Sequence, residues 1–114
     1  MKHKRPIILA GILISLIIFN YCFKFGVVDG VSMDPTLKDR QLVFVRRVII
    51  NSDFNTGSVV EAVDNEGFVV FKRVKWIKDG KVFLEGDNKP ASVDSRKLGA
   101  VDISQVKGIV IGDL

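Results

Sequence analysis

The sequence predicts a mainly β fold, a small curled antiparallel sheet or barrel behind one N-terminal transmembrane helix. Three observations lead there. One apolar run occupies Ile7–Phe23 and is broken only by Ser15 and Asn20. Beyond it, short segments rich in β-branched and aromatic residues alternate with turn signals, as in small antiparallel architectures. No later segment repeats apolar residues at helical spacing. At 114 residues and 12.7 kDa there is room for one modest domain beside the helix.

The apolar run comes first. As a helix it spans roughly 26 Å, slightly short of a hydrocarbon core of about 30 Å. A cleaved secretory signal would need small residues after the run, and Asn20-Tyr-Cys-Phe-Lys-Phe25 offers none. Nor does Phe19-Asn-Tyr-Cys22 suit a lipidated cysteine. The run therefore reads as a retained anchor. Its basic start, Met1-Lys-His-Lys-Arg5, should remain in the cytoplasm. The expected organisation is a cytoplasmic segment at 1–5, an anchor at 6–23 and an extracytoplasmic β domain at 24–114, single-pass in the plasma membrane. Tyr21, Phe23 and Phe25 suit the outer interface, among membrane lipid.

The strands follow in order. Gln41–Val45 and Ser58–Val63 are rich in β-formers, and Asp64–Gly67 is a turn before Phe68–Ile77. Asp79-Gly80 is a strong hairpin signal into Lys81–Glu85. Gly86–Gly99 reads as a polar loop and Val106–Ile111 as a closing strand.

Charge and cysteine usage exclude several function classes. Of the net charge of +4, Lys2, Lys4 and Arg5 supply three, so the rest is nearly neutral. The pI of about 9.4 is thus no sign of a nucleic-acid partner. One cysteine forbids an internal disulfide, and with one histidine it leaves no Cys/His zinc site. No metal or other cofactor is expected. Cys22 reads as an inert anchor residue.

With the only histidine, His3, on the cytoplasmic side, a Ser–His pair outside is impossible, and lysines or carboxylates remain as bases. A lysine serves only when neutral, so its pKa must fall through desolvation or nearby positive charge. Lys72 is best placed. Strand alternation over Phe68–Ile77 puts Phe68, Val70, Lys72, Val74 and Trp76 on one face. A sheet lysine snorkelling its amine to solvent fits the same pattern. Ser32 lies in Asp29-Gly-Val-Ser-Met-Asp-Pro-Thr-Leu37, a bend stiffened by Pro35 and opened by Gly30.

Ser32-Met-Asp-Pro-Thr-Leu37 resembles the nucleophile motif of type I signal peptidases, the serine–lysine leader peptidases. Lys72-Arg73-Val74 resembles their base-bearing strand, and Gly86-Asp-Asn-Lys-Pro-Ala-Ser-Val-Asp-Ser-Arg-Lys-Leu-Gly99 their third conserved box. The resemblance implies a serine endopeptidase with a largely β catalytic fold. Ser32 would be the nucleophile, Lys72 the general base, and Ser92 a hydroxyl bonded to the lysine amine. Asp94 and Arg96 would brace the site as an ion pair, and Asp87 and Asn88 would shape the loop. Secretory precursors with small residues at the first and third positions before the cut would be the partners. They would pair with strand edges at Asp29, Gly30 and Val31 and at Phe68, Val70 and Phe71, with Met33 packed beside them.

Some features depart from the family pattern. Gly30 stands where some relatives carry a hydroxyl that helps hold the oxyanion, as in the Gram-positive branch. Lys89 replaces an arginine. Only 12 residues separate Lys72 from Glu85, so the second β domain inserted there in larger relatives has no room. The chain resembles a minimal member. Rival readings are a dedicated processing protease for one exported substrate, pilin-like, and a non-catalytic membrane-anchored assembly factor.

Overall fold

The computed structural model describes residues 4–114, so His3 lies outside the described residues. Helix α1 runs Lys4–Cys22 and buries none of its side chains. Ile7, Leu9, Ile12, Leu16 and Ile17 are all exposed, so apolar surface surrounds the helix. A helix apolar on every side needs protein or lipid around it; here it is long and apolar enough to cross a membrane. The Ser15 hydroxyl donates to the Gly11 carbonyl at 2.9 Å, which satisfies it within the helix.

Helix α1 gives way directly to a strand, β1 (Phe23–Val27). Phe23 and Phe25, read from sequence as interface residues, lie in this strand. The β1 strand pairs antiparallel with β2 (Leu42–Arg47), Phe23 opposite Arg46. Phe19, Phe23 and Phe44 stack at 4.9 and 5.4 Å, carrying contact from helix to sheet. Arg47 lies over the Tyr21 ring and donates to the Tyr21 carbonyl, so the last helical turn is tied down by a side chain.

The remaining strands are β3 (Val59–Val63), β4 (Val69–Lys78), β5 (Lys81–Glu85), β6 (Val101–Asp102) and β7 (Val106–Asp113). Their order is β1-β2-β7-β3-β4-β5-β6, all antiparallel, curled into a half-barrel. Asp79 and Gly80 both take positive φ, 52° and 74°, as a two-residue hairpin of this hand requires. The segment expected as a plain loop, Gly86–Gly99, contains a short helix, α2 (Ser95–Leu98), capped by the Asp94 side chain.

Both faces of the sheet are covered. Val60, Ala62, Val74, Val82, Leu84 and Val106 build one apolar cluster. Val28, Met33, Leu37, Val43, Val45 and Phe71 build the other, beneath the bend that carries Ser32.

Candidate active site

The bend sits on the second cluster. The Val28 amide donates to the Gln41 carbonyl and the Arg40 amide to the Val28 carbonyl, closing the loop at its base. Met33 and Leu37 point down as anchors, 1% and 4% exposed. Gly30 has φ +93°, and its amide donates to Asp39 Oδ1 at 2.8 Å. A side chain at that φ is strained, which gives a backbone reason for glycine at this position. The Asp34–Pro35 peptide is cis.

The segment after β5 grips the bend from the other side. The Asn88 amide donates to the Ser32 carbonyl at 2.8 Å, and its side-chain amide donates to the Val31 carbonyl. Asp87 takes both arms of Arg73, at 2.8 and 2.7 Å, and accepts from the Thr36 hydroxyl. Arg73 beside it holds the Asp87 carboxyl below its ordinary range. Gly86 runs close to both partners: a Cβ there would meet Ser92 Oγ at 2.2 Å and the Ser32 carbonyl at 2.6 Å.

Lys72 lies on β4 opposite Val60 of β3 and is 5% exposed. Burial pushes its pKa down; the charges of Asp94 and Asp64 pull it partly back up, and Arg96 adds to the fall. No carboxylate pairs with its amine among the described residues. The inward side chains around it are Val70 and Val74. Trp76 does not flank it, against the alternation expected from sequence, and is 41% exposed; Phe68, 65% exposed, lines the same groove as Lys72. A bulge between Val74 and Trp76 turns Trp76 outward onto Phe83, while Phe68 precedes the strand.

Asp94 is the hub of the third motif, its side chain 1% exposed. It accepts from Arg96 Nε at 2.9 Å, the Gly86 amide at 2.8 Å and the Ser92 hydroxyl at 2.7 Å. Burial alone would raise its pKa, but these donors overrule it and hold the group at about 2. Ser92 thus gives its proton to Asp94, and no hydrogen bond joins it to Lys72 in this structure. Its lone pairs remain as acceptors. Ser95, which sequence reasoning passed over, is buried and accepts from the Leu84 amide, locking α2 onto β5.

A groove of about 360 Å³ brings Asp29, Ser32, Phe68, Val70, Phe71 and Lys72 together. Its wall is the first half of β4. Residues 69–73 pair with β3, but β5 takes up the other edge only from Arg73 onward. Val69–Lys72 therefore presents an unpaired edge. Three expected groove residues lie elsewhere. Met33 is a core residue whose sulfur accepts from the Asp87 amide, because the bend needs an apolar anchor. Gly30 shapes the bend, and Val31, 47% exposed, is not among the groove-lining residues. Glu61, unnoticed in the sequence, also borders the groove; a lone carboxylate inside Val-Val-Glu-Ala-Val was the available signal. Among the described residues there is no cluster of three metal-binding side chains.

Chemically, the groove places a hydroxyl and a desolvated amine beside an open strand edge, with backbone amides at the bend. Comparison with known proteins points the same way. The family description "Signal peptidase, peptidase S26" matches residues 60–112, from β3 to β7. A protein named signal peptidase I from Bacillus amyloliquefaciens is 35% identical over 82 residues, 70% of this chain and 43% of that protein. One from Bacillus licheniformis is 26% identical over 151 aligned positions, covering 89% of this chain and 81% of the relative. The chain spans less than half the length of the first of these. The 151 aligned positions exceed the 114 residues present, so the second carries segments without a counterpart here.

Proposed function

The chain is a relative of the type I signal peptidases of peptidase family S26, of the Bacillus kind, and from that premise we propose that it is a membrane-anchored serine endopeptidase. It removes signal peptides from secreted precursors after small residues of the Ala-x-Ala type. The observation that carries this reading is the shared groove: Ser32 and the buried Lys72 line one cavity, and burial drives the lysine toward its neutral form.

Neutral Lys72 takes the Ser32 proton as the hydroxyl attacks the scissile carbonyl. The acyl-enzyme is then opened by a water that Lys72 activates. Ser92 commits its proton to Asp94 and keeps its lone pairs, which would accept from the lysine amine and orient it once the two approach. With glycine at position 30, backbone amides including that of Ser32 hold the oxyanion. The precursor adds as a strand to the free edge of Val69–Lys72. The buried Phe71 ring in the groove lining would leave room only for small side chains beside it. Helix α1 holds this groove at the outer membrane surface, with the basic start inside.

The test is mass spectrometry of a secretory precursor with an Ala-x-Ala site, incubated with the detergent-purified chain. A single cut after the second alanine is expected, lost in Ser32→Ala and in Lys72→Ala while both variants keep the wild-type circular dichroism. Normal cleavage by either variant would remove the dyad. No cleavage by folded wild type would favour a dedicated substrate or a non-catalytic role, and an acylating inhibitor on Ser32 would separate those two.

A further inference from the structure

Of the buried charged side chains among the described residues, Lys72 and Asp94 have a part in the reading above, and Glu61, at the border of the groove, has none. It sits in the middle of β3, opposite Phe71 of β4, and is 6% exposed. Its ion-pair partner is Lys24 of β1, with Nζ 2.6 Å from Oε1 and the lysine side chain 57% exposed. Strands β1 and β3 are not neighbours, since β2 and β7 lie between them in the sheet. The pair therefore crosses the curl of the half-barrel and is no part of a ladder. A valine would fill the position without the cost of desolvating a carboxylate.

Glu61 borders two cavities. One is the groove that holds Ser32 and Lys72. The other, about 310 Å³, lies between the end of α1 and the sheet and is lined by Tyr21, Lys24 and Val69 among others. Val69 also borders both, so the two cavities adjoin at Glu61 and Val69, one on the nucleophile side and the other on the side of the end of α1. A carboxylate accepts through two oxygens, and the Lys24 contact uses one.

We propose that Glu61, with Lys24, is a charge-reading subsite for the precursor segment upstream of the cut. It favours a residue that donates hydrogen bonds, lysine or arginine above all, and rejects aspartate and glutamate. The inference rests on the groove being the precursor site. A precursor whose apolar segment is still in the membrane enters from the α1 end, so residues before the cut pass over the pair. The exposed Lys24 can swing aside on its flexible stem and leave Glu61 to an incoming cation. An incoming acid either faces the buried carboxylate or draws Lys24 away from it, and both are unfavourable.

The experiment uses the full chain and a set of Ala-x-Ala peptides with Lys, Gln, Leu or Glu at each position from the second to the sixth before the cut, the third excepted. At one position kcat/KM for the Lys peptide should exceed that for the Glu peptide by about tenfold or more, the size of a charge-assisted hydrogen bond. Glu61→Gln should bring that ratio within about twofold of unity. Lys24→Met should raise it. Equal cleavage of all peptides by wild type, or a ratio unchanged in Glu61→Gln, overturns the subsite alone. Should Glu61→Gln fail to fold, an unchanged ratio in Lys24→Met overturns it instead. If wild type cuts no peptide at all, the proteolytic reading falls and the subsite with it.

Discussion

A lysine that works as a base leaves its signature in pH. As the proposed base, Lys72 would act only when neutral, and burial lowers its pKa from the ordinary 10.5. Cleavage should rise with pH as the amine loses its proton, with a midpoint below the ordinary lysine range. Asp64 pulls that pKa upward, so Asp64→Asn should move the rising limb to lower pH while its side-chain oxygen still accepts the turn amides of Glu66 and Phe68. A pH–rate profile of kcat/KM for both proteins checks this. Asp94 gives the opposite kind of dependence. Its pKa is depressed from 3.8 to about 2, so its contribution is complete above the unfolded value and disappears as pH falls through the folded one. The depression corresponds to about 2 kcal/mol. Denaturant titrations should therefore show the stability gap between wild type and Asp94→Asn widest near pH 5 and narrowing by about that amount toward pH 2. At this scale the placement of the candidate residues was legible in part: Ser32 and Lys72 line one groove, and Ser92, Asp94 and Arg96, named by resemblance, form one hydrogen-bonded cluster. Glu61 was not, because a strand pattern does not reveal which non-neighbouring strands a curl will bring face to face.

Elements position these residues through contacts that tolerate little change. Gly86 is where the nucleophile bend and the Ser92 loop meet, and an added methyl would stand 2.2 Å from Ser92 Oγ. Gly86→Ala should cost roughly 1–3 kcal/mol of stability, as overpacking does. It should also lower kcat far more than it raises KM, since it displaces Ser92 and Ser32 while leaving the β4 edge intact. Thermal melts and steady-state kinetics read the two effects separately. Strand existence was largely readable from composition and turns, and the Asp79-Gly80 hairpin was placed correctly. The face of Trp76 was misread because a bulge adds one residue to β4 and shifts every later side chain to the other face; nothing in Val74-Lys-Trp-Ile77 marks it. Strand β1 was hidden for a different reason. Phe23 and Phe25 suit a membrane interface and a strand equally well, and only pairing with β2 decides between them.

For the whole molecule, function depends on which side of the membrane the half-barrel occupies. In the proposed anchored protein the groove would stay near the bilayer: α1 passes into β1 without a linker, and the Phe19–Phe23–Phe44 stack and the Arg47–Tyr21 contact hold that junction. A free-edge groove so placed meets an extended precursor where it leaves the membrane, but only if the domain is outside. The basic start, with Lys4 and Arg5 at the first turn of α1, argues for that orientation, because short basic flanks stay in the cytoplasm. Ser52 lies in an exposed turn beyond β2, and Cys22 is the chain's single cysteine. In a Cys22→Ala background, Ser52→Cys should react with a membrane-impermeant maleimide on intact cells at the rate seen after lysis. Labelling that appears only after lysis would place the groove in the cytoplasm, where no precursor segment emerges from the outer face of the membrane. The anchored-protease reading would then fail at its outermost scale even with the dyad chemistry intact.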